Sequence, residues 1–154
     1  MDPRNPAIKP RKGERDVFKR IMVPVDLAHI ERLERALKCA ADLAGHWSAK
    51  TVYVGVTAAT PSKVAHNPKE YGQKLSAFAE EQAKLHGIET EAHPVVSHDP
   101  TTDVDDALMK AVTDTSADMV VMQSHVPDAV DYIWPSNGGN LAEHSKVSVL
   151  VVRA

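Results

Sequence analysis

The sequence has a single cysteine, Cys39, in 154 residues. That excludes an intrachain disulfide framework and any zinc or iron–sulfur site built on several thiolates. Aromatic residues make up only 5% of the chain and glycines number seven. Long apolar runs are missing as well. The longest, such as Met119–Met122 and Val149–Val152, fall far short of the roughly 18 to 20 residues a membrane span needs. The N-terminus is charged and proline-rich without an apolar stretch, so it does not read as a secretory signal. A soluble, cytoplasmic protein with no membrane partner is the expectation. The length suits one domain with a core large enough to need no covalent staples.

The net charge of −3 hides an asymmetry. Residues 1–20 carry seven Lys/Arg and three Asp/Glu, whereas the other 134 carry eleven against eighteen. An acidic body argues against a nucleic-acid-binding surface. Residues 1–16 hold three prolines and a glycine with no apolar periodicity. They read as an extended basic arm, solvated or touching an anionic partner, outside a single domain at 17–154.

From Phe18 the pattern is regular. Ile21-Met22-Val23-Pro24-Val25, ending at Asp26, has the length and residue types of a buried strand. Ile30, Leu33, Leu37, Ala40 and Ala44 recur at spacings of three and four, one face of a helix that Gly45 is expected to stop. Thr51–Val56 is β-branched and reads as a second strand. Asn67-Pro68 supplies a cap and a first-turn proline for a helix that Gly87 ends. Residues 91–97 form a third strand. Thr102 and Asp105 resemble a capping box in front of a helix bearing Val104, Leu108, Ala111 and Val112. Asp118–Gln123 is a fourth strand, a short helix starts near Ser136 or Asn137, and Val147–Val152 is a fifth strand. Strands that are almost continuously apolar, alternating with helices, specify a parallel sheet with helices on both faces.

Open sheets of this kind bind ligands beyond the carboxyl ends of their strands. The candidate segments are therefore Val25-Asp26-Leu27, Thr57 and the loop after it, and Ser124-His125-Val126-Pro127 leading to Ser136-Asn137. Free amides at a helix start favour an anion, although Ser and Asn are also ordinary helix caps. Asp26 can accept from a base amine or ribose hydroxyl, or cap the next helix. The eight histidines (His29, His46, His66, His86, His93, His98, His125, His144) show no HExxH-type pairing, so no metal is expected. Asp103, Asp105 and Asp106 suit a helix's first turn, and Cys39 reads as a small core residue. There is no GxSxG elbow and no Walker A, so no catalytic residue is assigned. Trp134, ahead of Pro135, either shuts the pocket or packs on a partner.

The runs Ile21–Asp26, Asp118–Met122, Ser124-His125 and Ser148–Arg153 resemble the universal stress protein (UspA) family. Ser124-His125-Val126-Pro127-Asp128, with Tyr132 and Ser136-Asn137, is similar to its F/G-type branch. The likeness spans about residues 17–153. It implies a three-layer α/β/α fold of the adenine-nucleotide α-hydrolase-like type, with a five-stranded parallel sheet in order 3-2-1-4-5. It also implies a homodimer joined through the last strands, with Val147, Val149 and Val151 at the interface. Many members bind ATP through a glycine, two residues, a glycine, nine residues, then glycine and Ser or Thr. Here those glycine positions are Gln123, Val126 and Pro135, the spacer is one residue shorter, and only Ser136 survives. Val tolerates positive φ poorly, proline removes a donor, and Gln123 adds a side chain that blocks a triphosphate or donates to it. Pro24, Val25, Asp26, Val56 and Met122 match the adenine side of the family's pocket. The resemblance implies a regulatory protein acting through unknown protein partners without the usual ATP site. The alternative is an adenine-nucleotide switch with a remodelled phosphate loop, using Gln123, Ser124, His125, Val126, Ser136 and Asn137.

Overall fold

The computed structural model describes residues 17–100, 102–124 and 137–153. The arm at 1–16 and the candidate positions His125, Val126, Trp134 and Ser136 lie outside them. Strands β1 (Arg20–Pro24), β2 (Lys50–Ala58), β3 (Thr90–Ser97), β4 (Met119–Gln123) and β5 (Ser148–Val152) form one sheet in the order β3-β2-β1-β4-β5. Every neighbouring pair is parallel. Helices α1 (Glu34–Trp47), α2 (Pro68–His86), α3 (Val104–Asp114) and α4 (Asn137–His144) supply the crossovers.

Because side chains alternate across a strand, each strand feeds both faces. Ile21, Val23, Tyr53, Val121 and Val152 pack with Leu37, Ala40, Tyr71 and Leu75 in a core between the sheet and α1 and α2. Met22, Val52, Val54, Val120 and Met122 pack with Leu108, Val112 and Leu141 in a second core beneath α3 and α4. The two cores give three layers, as the apolar strands require.

Local details depart from the sequence reading in three places. The segment before α1 is a 3-10 stretch, Leu27–Leu33, interrupted at His29, so Ile30 and Leu33 precede the α-helix instead of belonging to it. Gly45 does not stop α1. The helix runs on to Trp47, whose ring meets Phe18 edge-on at 4.8 Å, and Ser48 takes the left-handed turn at φ 55°. That packing outweighs the roughly 1 kcal/mol a helical glycine costs. The cap of α3 does not fall at Thr102. Thr102 donates its hydroxyl to Asp99 at 2.8 Å, and Asp103 holds the position before α3.

The start of α2 is more tightly built than its sequence signal suggests. Asn67 accepts from the Glu70 amide at 2.8 Å, and Glu70 reaches back to the His66 amide at 3.0 Å, a reciprocal clamp close to a capping box. The His66 amide first, then the His66 ring and Lys74, hold the Glu70 carboxyl down from its ordinary 4.5 to about 2. One turn into the same helix, Tyr71 stands against Gly55 of β2. A Cβ at Gly55 would lie 2.2 Å from the Tyr71 hydroxyl oxygen and 3.0 Å from its ring.

Gly55→Ala should therefore lower stability by about 1–3 kcal/mol. The loss should shrink in a Tyr71→Phe background, and a double-mutant cycle by urea denaturation measures that coupling. Glu70, with a folded value below its unfolded one, contributes stability at neutral pH that is lost as pH falls from its ordinary value toward about 2. The melting-temperature gap between the parent and Glu70→Gln should be present at neutral pH and close with acidification.

Candidate functional site

The order β3-β2-β1-β4-β5 reverses direction between β1 and β4. β1 pairs with β2 along Arg20–Pro24, but its register with β4 covers only Ile21↔Met119 and Met22↔Val120. Past Met22 the two central strands part, and a crevice opens between Pro24-Val25-Asp26 and the end of β4. Such a switch point is where ligands bind in open parallel sheets.

Pro24, lacking an amide hydrogen, ends β1. Val25 stays sewn to β2 through its amide, which donates to the Val54 carbonyl at 2.8 Å. Asp26 then turns the chain. Its carboxylate is 8% exposed. One oxygen accepts from the Ala28 amide at 3.0 Å, and the other meets His29 Nδ1 at 2.7 Å. An ionised carboxylate only accepts, so Nδ1 is the nitrogen that carries hydrogen. The helix-capping reading of Asp26 is the one the geometry adopts. Nearby, burial pushes the Tyr71 phenol well above its usual range, and the negative charge of Asp26 pushes the same way.

On the other wall, Gln123 is buried, and its side-chain carbonyl accepts from the Ala36 amide at 3.2 Å. Leu33, the residue before α1, offers that helix no side-chain cap, and Gln123 satisfies one of its free amides from the far side of the fold. The Gln123 carbonyl faces the start of α1. Ser124 continues the β4–β5 ladder through its amide to the Val152 carbonyl at 2.7 Å. Val56 and Met122 belong to the core on the α3/α4 face, and Asn137 opens α4. Pro24, Val25, Asp26, Gln123 and Ser124 thus stand at or just past the carboxyl ends of β1 and β4, with Val56 and Met122 on the α3/α4 side of the sheet. Cys39 is partly buried against the α1/α2 core. Val147, Val149 and Val151 pack on the α3/α4 core from the sheet edge.

Sequence reasoning missed His29 as the partner of Asp26. Aspartate followed three residues later by histidine, directly after a buried strand, is the pattern that carries it. Among the described residues no group of three His, Cys, Asp or Glu is placed to hold a metal, and no helix is long and apolar enough to cross a membrane.

The sequence profile described as the universal stress protein family matches residues 18–153. The chain belongs to that family. Solved structures agree on the fold. A universal stress family protein from Burkholderia pseudomallei superposes with a TM-score of 0.64 at 22% identity, covering 88% of this chain and 96% of that one. A universal stress protein in complex with cAMP gives 0.62 at 25% identity, over 88% and 97%. The Archaeoglobus fulgidus protein in complex with dAMP gives 0.60 at 18% identity, over 88% and 98%. The five-stranded sheet and its order are those of the adenine-nucleotide α-hydrolase-like fold.

Gln123→Leu keeps the volume but removes the acceptor for the Ala36 amide. It should lower stability by about 1–2 kcal/mol, measured by urea denaturation. A loss below the error of the fit would show that the Gln123 bond holds nothing.

Proposed function

We propose that this chain is a regulatory universal stress protein that acts by binding rather than turnover, does not hold ATP through the family's glycine-lined loop, and serves the cytoplasmic stress response through protein partners. One observation carries this reading. Asp26 accepts from the Ala28 amide and the His29 ring, and the Gln123 carbonyl accepts from the Ala36 amide, so both side chains engage the helical segments that follow β1. The replacement of the glycines by Gln123, Val126 and Pro135 points the same way. The sequence of the loop after Ser124 supports a place near the F/G-type branch, and residues 1–16 are read as an arm outside the family domain.

The same reading makes the protein a homodimer through β5. The two edge strands differ in kind. β3 carries Pro94, which blunts an edge by removing a donor. β5 reads Ser-Val-Leu-Val-Val with no proline and no charge. An unprotected apolar edge of that sort suits antiparallel pairing with a second copy. Val149→Asp should then give a monomer in sedimentation with an unchanged far-ultraviolet circular dichroism spectrum. A mutant that still sediments as a dimer removes the interface.

A second reading has its own support. Relatives have been crystallised with cAMP and dAMP, and Pro24, Val25, Asp26, Val56 and Met122 resemble in sequence the adenine side of the family's pocket. A mononucleotide asks less of the altered loop than ATP does. Calorimetric titration with ATP, with and without magnesium, and with AMP decides between them, after acid extraction to detect nucleotide carried through purification. The expected outcome is no heat with ATP and none extracted. Micromolar binding of ATP would overturn the first reading, while binding of AMP alone would establish the second.

A further inference from the structure

The α1/α2 side of the sheet carries a further opening. A cleft of about 560 Å³ lies between the turn after β1 and the first half of α2, lined by Leu27, Ala28, His29, Lys63, Val64 and Lys74. Leu27 and Val64 rest on the α1/α2 core, so the cleft opens on that face. Val56 and Met122, the adenine-side positions, belong to the opposite core.

The polar side chains that line this cleft are all basic. Among the described residues no carboxylate lines it. Asp26 stands behind His29 with one oxygen on the ring and the other on the Ala28 amide. Glu70 is turned to His66 at 3.0 Å and to Lys74 at 3.3 Å. Lys74 is held in place by that ion pair and by donation to the Val64 carbonyl. Lys63 pairs with no carboxylate among the described residues. His29 is the one polar lining residue fixed from below. Asp26 takes its Nδ1 at 2.7 Å, and the backbone leaves the helical run at His29, with φ −137° and ψ 44°. Nε2 is thus the ring nitrogen free for a ligand. It accepts from a protonated oxygen or, once protonated, donates to an anion.

We propose that this cleft is a phosphate site beside the nucleotide crevice, with Lys63 and Lys74 as its donors and His29 Nε2 facing a third oxygen, taking either inorganic phosphate or the phosphate group of a small monoester. Two ammonium groups donate to the anion, and the preset imidazole meets a third oxygen, accepting from a P–OH or donating when the ring carries both hydrogens. A tetrahedral phosphate has oxygens for all three, whereas a carboxylate has two. The volume admits a small molecule around the phosphate. The cleft is lined by other residues than the crevice, and Asp26 stands between them with its carboxylate on His29.

The test follows the His29 ring signals by NMR in the full chain. Inorganic phosphate, then glycerol phosphate, is titrated against chloride at constant ionic strength. A saturable shift of the His29 signals is expected, with tighter binding of glycerol phosphate if the natural ligand is a monoester and of inorganic phosphate if it is the free ion. Lys63→Gln, a change on an exposed side chain, should weaken binding about tenfold or more, the worth of a hydrogen bond to a charged group. Adenosine, which has no phosphate, should leave the signals in place. The proposal falls if phosphate and glycerol phosphate produce no saturable shift, if Lys63→Gln binds as the parent does, or if adenosine moves the His29 signals.

Discussion

The carboxylate of Asp26 sets the arrangement at the carboxyl end of this sheet. A carboxylate removed from water is costly unless its oxygens are matched by donors. Here the donors come from the next few residues of the same chain, the Ala28 amide and the His29 ring. Meeting that demand bends the path after β1 into a short 3-10 stretch with a break at His29, and it delays the start of α1 to Glu34. The delayed helix begins without a side-chain cap of its own, and Gln123 from β4 fills the need. The polar groups at the crevice are thus linked in sequence, each one's position following from the one before.

This linkage also explains which parts of the fold could be read in advance. Signals carried within a few residues were legible: the buried strands at Ile21–Val25 and Met119–Met122, the Asn67-Pro68 start, the Gly87 stop and the strand order through the family likeness. Features decided by distant partners were not. Trp47 stays helical past Gly45 because Phe18, far back in the chain, packs on its ring. Gln123 caps a helix 87 residues away. Thr102 turned to Asp99 instead of the helix behind it, a choice between two near neighbours that composition alone does not rank. At the candidate site, the capping role of Asp26 was open to sequence reading, whereas its His29 partner and the Gln123–Ala36 bond were not, because they are contacts.

The sheet separates two kinds of chemistry by side-chain alternation alone. Along β1, β2 and β4, one parity of residue feeds the layer of α1 and α2 and the other the layer of α3 and α4. Val56 and Met122 fall on one parity, Tyr53 and Gln123 on the other. A single-residue slip in register would exchange these faces wholesale. The long β2–β3 register, Thr51↔Thr90 through Ala58↔Ser97, and the fully buried side of β2 hold against such a slip.

The short register between β1 and β4 bears on how the chain is made. β1, β2 and β3 are close in sequence and carry α1 and α2 with them, so that half of the sheet can assemble as it emerges from the ribosome. The other edge of β1 waits for Met119 and Val120, about a hundred residues later. At about 5–20 residues per second, that edge stays open for about 5–20 seconds of synthesis. The central strand of the finished protein is, during its own translation, an unguarded margin, and the nascent chain must keep Ile21 and Met22 from finding another strand until β4 arrives.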